Sequence, residues 1–106
     1  MRGYDNFNFD AFDIASHLIK RLGHVPISPT DMDRLYEGWR QYPPEGVLFD
    51  KNDLRRFISR DLEAIGNCDA IYLLHGWEKS QGALVEKALA EFLGLNVYYN
   101  MEDIND

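Results

Sequence analysis

Residues 68–100, CDAIYLLHGWEKSQGALVEKALAEFLGLNVYYN, constrain the fold more than any other part of this chain. Ala70 to Leu74 is an apolar run short enough for a buried strand. A polar, glycine-containing loop follows, and Ser80 can cap a helix running from about Gln81 to Leu93. Asn96 to Tyr99 then reads as a second strand. In open α/β sheets, ligands bind beyond the carboxyl ends of the strands, and here that end is His75 to Ser80. Glu86 lies in the second turn of the helix that starts there, so the pattern implies a site as well as a fold.

The rest of the chain continues the alternation. A helix is predicted from about Asp10 to Leu22, with Phe12, Ala15, Leu18, Ile19 and Leu22 as its apolar stripe. Asn8 can cap it and Gly23 terminates it. Val25 to Ser28 reads as a strand, placed at an edge because Pro26 cannot donate a ladder hydrogen bond. Thr30 can cap a short helix holding Met32, Leu35, Tyr36 and Trp39, and the Pro43-Pro44 pair makes Gln41 to Gly46 a loop. Asp50 caps a third helix with the stripe Leu54, Phe57, Ile58, Leu62 and Ile65. In the helix after Ser80, Val85, Ala88, Leu89 and Phe92 are expected to face inward. Helices alternating with short apolar strands predict an α/β fold with a small, doubly wound parallel sheet. At 106 residues the chain has room for one domain, residues 1–106.

Composition narrows the function classes. The net charge of −7 argues against nucleic acid or an anionic membrane as partner, since phosphate backbones require clustered Lys and Arg. Arg55, Arg56 and Arg60 share one predicted helix, where they read as a solvated face. No apolar run approaches the length of a membrane span, and the opening residues carry neither a signal nor a transit pattern. Cys68 is the only cysteine, which excludes an internal disulfide and fits a reducing compartment. The expected location is a bacterial or phage-infected cytoplasm. His17, His24 and His75 have no metal-ligand spacing, and neither a phosphate-binding P-loop nor a Ser-His-Asp arrangement is present, so no cofactor is expected.

The order apolar strand, Ser80-x-Gly82-x-x-x-Glu86, alanine-rich helix and Leu93-Gly94 resembles the nucleoside 2-deoxyribosyltransferase-like superfamily. It is most similar to a phage-rich branch that carries a Gly-Trp-Glu-x-Ser-x-Gly-Ala run, here Gly76 to Ala83. MRGYDNFNFDAFD and RRFISRDLEAIGNCDAIYLL resemble the opening and the central helix and strand of that branch. The resemblance implies a flavodoxin-like fold. It also implies a first strand ending just before Met1, which is expected to lie at the centre of the sheet. Each buried side chain of such a strand would contribute roughly 1.5–3 kcal/mol, against a domain stability of about 5–15 kcal/mol. The expectation is therefore that the start has been assigned late, or that another segment or subunit fills the gap. Homo-oligomerisation or a protein partner follows from this.

The same resemblance supplies roles for individual residues. Glu86 takes the place of a glutamate that attacks the anomeric carbon of a 2-deoxyribosyl group; its alternative reading is a surface glutamate in an i,i+4 pair. Asp61 best matches an aspartate that protonates or orients the leaving base, and its alternative is a solvated carboxylate paired with Arg56 or Arg60. Asp69 is read as a capping or solvated residue. Ser80 is first an N-cap, and a serine there contacts phosphate or sugar in nucleotide-specific relatives; Gly82 lets substrate approach the helix start. Arg2, Gly3 and Tyr4 match a loop that cradles phosphate or sugar. Trp77 reads equally as a stacking platform for a base and as a loop anchor, and Glu78 as a ligand for ribose hydroxyls. His75 stands where the branch has proline. The implied activity is that of a 2-deoxynucleoside or 2-deoxynucleotide N-glycosidase or deoxyribosyltransferase. The rival reading is a non-catalytic phage protein that binds a nucleotide or a host partner.

Overall fold

The computed structural model describes residues 9–104. Four helices and two short strands follow one another as α1 (Phe9–Arg21), α2 (Pro29–Glu37), α3 (Lys51–Ile65), β1 (Ala70–Tyr72), α4 (Gln81–Leu93) and β2 (Asn96–Tyr98), with single 3-10 turns at Trp77–Lys79 and Met101–Asp103. The helix boundaries follow the punctuation of the sequence. Asp50 and Asp53 form a capping box at the start of α3, each carboxylate accepting from the other's backbone N–H at 2.8 and 3.0 Å. Ser80 Oγ accepts from Ala83 N–H at 3.2 Å and starts α4, which Gly94 ends in a left-handed conformation, φ +75°. The predicted Asn8 cap lies outside the described residues.

β1 and β2 pair in parallel, Ala70 with Asn96, Ile71 with Val97 and Tyr72 with Tyr98. α4 makes the crossover between them, as the strand-loop-helix-strand pattern requires. The architecture is thus α/β with a small parallel sheet, two-stranded among the described residues. The predicted strand at Val25 to Ser28 does not join it. That segment has neither helix nor strand pairing, and Val25 is 91% exposed. Pro26 removes one of its donors, and among the described residues no neighbouring strand pairs with the rest.

Two ion-pair clusters join the first three helices. Arg34 on α2 grips Asp13 on α1 through both terminal nitrogens, at 3.0 and 2.8 Å. Buried Thr30 adds a hydrogen bond to the same carboxylate and another to Ser28 Oγ. Thr30 therefore ties α2 to α1 from within the helix, and its predicted capping role is taken by no side chain: Ser28 occupies the cap position with Pro29 behind it. Arg60 on α3 reaches Asp33 and Glu37 on α2, both at 2.8 Å. Trp39 and Phe49 pack on Phe57 beside this cluster, and Phe9 packs on Trp39.

The fully buried apolar core is small: Phe9, Ala15, Ile65, Leu73 and Ala90. α4 lies rotated from the predicted orientation. Val85, Ala88 and Phe92 face outward, Phe92 being 85% exposed, while Ala90 is buried and Glu86 and Leu89 are half-buried. A helix rotated this way carries Glu86 into the protein, where the strict apolar-stripe reading would have left it at the side.

Candidate active site

Glu86 on α4 and Asp61 on α3 meet across the packing of these two helices. Asp61 Oδ1 is buried and meets no donor among the described residues. Its neighbour is the Glu86 carboxyl, near enough for each group to shift the other's titration. Two neighbouring carboxyls can hydrogen-bond to each other only if one of them carries a proton. Burial, then the adjacent Glu86 charge, then Asp33 push the Asp61 carboxyl up to about 8. Burial also raises Glu86, while the hydrogen bond from Asp61 opposes the rise. Like charges this close resist ionising together, so a proton is held by the pair more tightly than by a lone carboxyl. The reading of Asp61 as a surface partner of Arg56 or Arg60 does not hold, because Arg56 is engaged by Glu37 and Asp53, and Arg60 by Asp33 and Glu37.

Glu86 lines two adjoining cavities. The smaller, about 50 Å³, sits at the carboxyl end of β1 and is walled by Tyr72, His75, Trp77 and Ser80 among others. The strand end, the loop and the start of α4 thus converge where the sequence pattern places a ligand. Ser80 serves as cap and cavity wall together, its Oγ 3.2 Å from Ala83 N. A Cβ at Gly82 would meet only Ser80 Oγ, at 3.9 Å, so the chain's own packing does not require glycine there. The larger cavity, about 740 Å³, is lined by Asp61 and Glu86, by α1, by residues 23–29 and by β1.

Trp77 is half-buried, packed on Tyr99 at 5.4 Å between ring centroids, with Lys87 Nζ 5.6 Å from its ring. Its ring is anchored and is also part of the smaller cavity wall. Glu78 is exposed and lies in neither cavity wall. His75 is exposed at the cavity rim. Asp69 is exposed just before β1, far along the strand from the Ser80 end. Arg2, Gly3 and Tyr4 lie outside the described residues. Among the described residues no group of three His, Cys, Asp or Glu side chains could hold a metal ion, and no helix is long and apolar enough to cross a membrane.

The residue that sequence reasoning missed is Asp33, 4% exposed on α2. Burial raises its carboxyl even though Arg60 donates to it. A signal for it existed. Asp33 and Glu37 are four residues apart, as are Arg56 and Arg60, so two helices carry complementary charges at one helical spacing. The pairing Asp33–Arg60 fixes the turn of α3 from which Asp61 projects.

Comparison with curated proteins and with solved structures gave no match. A family model described as "Domain of unknown function (DUF4406)" matches residues 1–99, nearly the whole chain, and the protein therefore belongs to the DUF4406 family.

Proposed function

We propose that this protein cleaves or transfers the N-glycosidic bond of 2-deoxynucleosides or 2-deoxynucleotides. The observation that carries the reading is the buried Asp61–Glu86 carboxyl pair, both members lining the larger cavity and Glu86 also walling the Ser80 cavity. Two carboxyls held in different protonation states can divide acid and nucleophile roles between them. The Glu86 carboxylate attacks the anomeric carbon, and the bond from that carbon to the base nitrogen breaks. The bonding electrons leave with the base, which takes the proton of Asp61. Water or a second base then displaces Glu86 from the sugar, and the proton lost by the incoming group returns to Asp61. Ser80 and the first turn of α4 supply donors for a phosphate or sugar oxygen, and Gly82 leaves room beside them. Trp77 provides a ring face for the base. The same proposal includes the finer fold, a flavodoxin-like doubly wound sheet, supported by the parallel pairing of β1 with β2 through α4.

The rival reading, a non-catalytic nucleotide-binding or host-partner-binding protein, is favoured by the width of the larger cavity, which leaves the carboxyl pair beside about 740 Å³ of open space. One experiment separates the two. The protein is incubated with deoxynucleosides and their 5′-monophosphates, and free base is followed by chromatography. Base release that disappears in Glu86→Gln supports the enzyme; tight binding without base release supports the binding protein.

A further inference from the structure

Arg60 stands between two sets of carboxyls. Its Nη2 donates to Asp33 Oδ1 and its Nη1 to Glu37 Oε2, both at 2.8 Å, so both terminal nitrogens are turned to α2. Its Nε is buried and meets no acceptor among the described residues. The next residue of α3 is Asp61, whose buried Oδ1 likewise has no partner there. The side chains of Asp33 and Arg60 are only 6% and 14% exposed, so salt and water screen this cluster little.

Cations are scarce along the contact of α2, α3 and α4. The carboxyls of Asp33, Glu37, Asp53, Asp61 and Glu86 outnumber the guanidiniums of Arg56 and Arg60. Arg56 is bound by Glu37 and Asp53, and Arg60 by Asp33 and Glu37. Lys87, next to Glu86 on α4, is turned to Glu91. None of these three cations hydrogen-bonds to Asp61 or Glu86.

Around Asp61, α4 presents Glu86, α2 presents Asp33, and α3 itself presents Arg60. The remaining walls of the larger cavity add His24, Cys68, Asp69, Tyr72 and Tyr98, while its α1 wall has no charged side chain. Asp33 and Arg60 act on Asp61 in opposite senses: the carboxylate favours its protonated form and the guanidinium its ionised form. Two acidic partners on α2 offset most of the charge that Arg60 would otherwise exert on its neighbour.

From this cluster we infer that Asp33 and Glu37 are positioning residues for the Asp61–Glu86 pair: they hold the Arg60 guanidinium on α2, withhold its charge from Asp61, and so keep a proton on Asp61 for the leaving base. The inference deepens the proposed function and rests on that reading for the leaving base alone.

Carbon-13 NMR of the side-chain carboxyls in the full chain reads the upper midpoint of the pair on the Asp61 carbon. Asp33→Asn keeps an acceptor for Arg60 and removes the charge. In this variant the midpoint should fall from about 8 by about one pH unit, a ten-fold loss of proton affinity. Glu37→Gln should lower it too, and Arg60→Gln should raise it. Loosened packing would instead draw all three variants down toward the usual carboxylate value, since water relieves the cost of the charge. An unchanged or higher midpoint in Asp33→Asn overturns the inference, and so does a fall in Arg60→Gln. Should Asp33→Asn not fold, opposite shifts in Glu37→Gln and Arg60→Gln support the inference and shifts of one sign overturn it. Where base is released, the alkaline limb of the pH–rate profile should move to lower pH in Asp33→Asn together with the midpoint. A wild type that releases no base counts against the proposed activity, while the titration still decides the inference.

Discussion

Replacing Asp61 by Asn should stabilise the protein, and the gain should grow as pH rises. The folded-state carboxyl is pushed up to about 8 from an ordinary value of 3.8, so between these limits the native state holds a proton that the unfolded chain releases. A group raised in this way costs stability with increasing pH, by about 1.4 kcal/mol per pH unit across the window. From about pH 4 to pH 7 the loss amounts to about 4 kcal/mol, a large share of the 5–15 kcal/mol available to a small domain. Glu86 and Asp33 are raised as well and act in the same direction. Asp13, Glu37 and Asp53 are lowered by their arginine and backbone partners. What those three contribute is lost only as pH falls below the usual carboxylate range, and so leaves the window from about pH 5 to pH 8 undisturbed. Asn at position 61 cannot ionise, and its amide can donate to the Glu86 carboxylate. Urea denaturation, followed by the fluorescence of Trp39 and Trp77, should therefore show wild-type stability falling from about pH 5 to pH 8. The Asp61→Asn variant should show a flatter profile and exceed the wild type by about 2–4 kcal/mol at pH 7. Parallel profiles for the two proteins would refute a proton shared by Asp61 and Glu86.

Glu86→Gln should reduce base release by about 10³-fold or more while the denaturation midpoint and nucleotide binding are retained; chromatography and calorimetry on the same preparation check both. Ser80→Ala should cost about 1 kcal/mol of stability through the lost cap and also shrink any preference for monophosphates over nucleosides. Loss of stability with the preference intact would leave Ser80 a cap alone. Asp33→Ala should destabilise by about 3 kcal/mol in urea, since Arg60 would keep Glu37 but lose its buried partner. Phe92→Gln should change stability by no more than about 0.5 kcal/mol, because the ring stands in solvent; a large loss would restore the inward orientation expected from the apolar stripe.

The local signals in the sequence were strong where they were covalent or short-range. Asp50, Ser80 and Gly94 set helix ends through hydrogen bonds and backbone conformations within a few residues, so three helix boundaries could be read from the chain alone. The β1–α4–β2 unit was legible for the same reason: its strand runs, cap and terminator lie within thirty-odd residues. The placement of Val25 to Ser28 was not legible. A strand needs a partner, and whether one is present depends on residues far away in the chain. The rotation of α4 escaped the sequence too, since Val85, Ala88 and Phe92 form as good an apolar stripe as the face that is buried.

The sequence by itself determined the α/β class, the order of the four helices and of the two strands that pair, and the choice of Glu86 and Asp61 as candidates. Only the tertiary structure decided that these two carboxyls touch. Their separation of twenty-five residues carries no periodic signal; the contact arises because α3 and α4 pack with both acids on their facing sides. It was likewise packing, not composition, that gave the hydrogen bonds of Arg56 and Arg60 to Glu37, Asp53 and Asp33 and left Asp61 to feel Arg60 only at a distance. A shared proton relieves the Asp61–Glu86 pair, because burial raises the cost of two charges while the packing of α3 on α4 keeps them close.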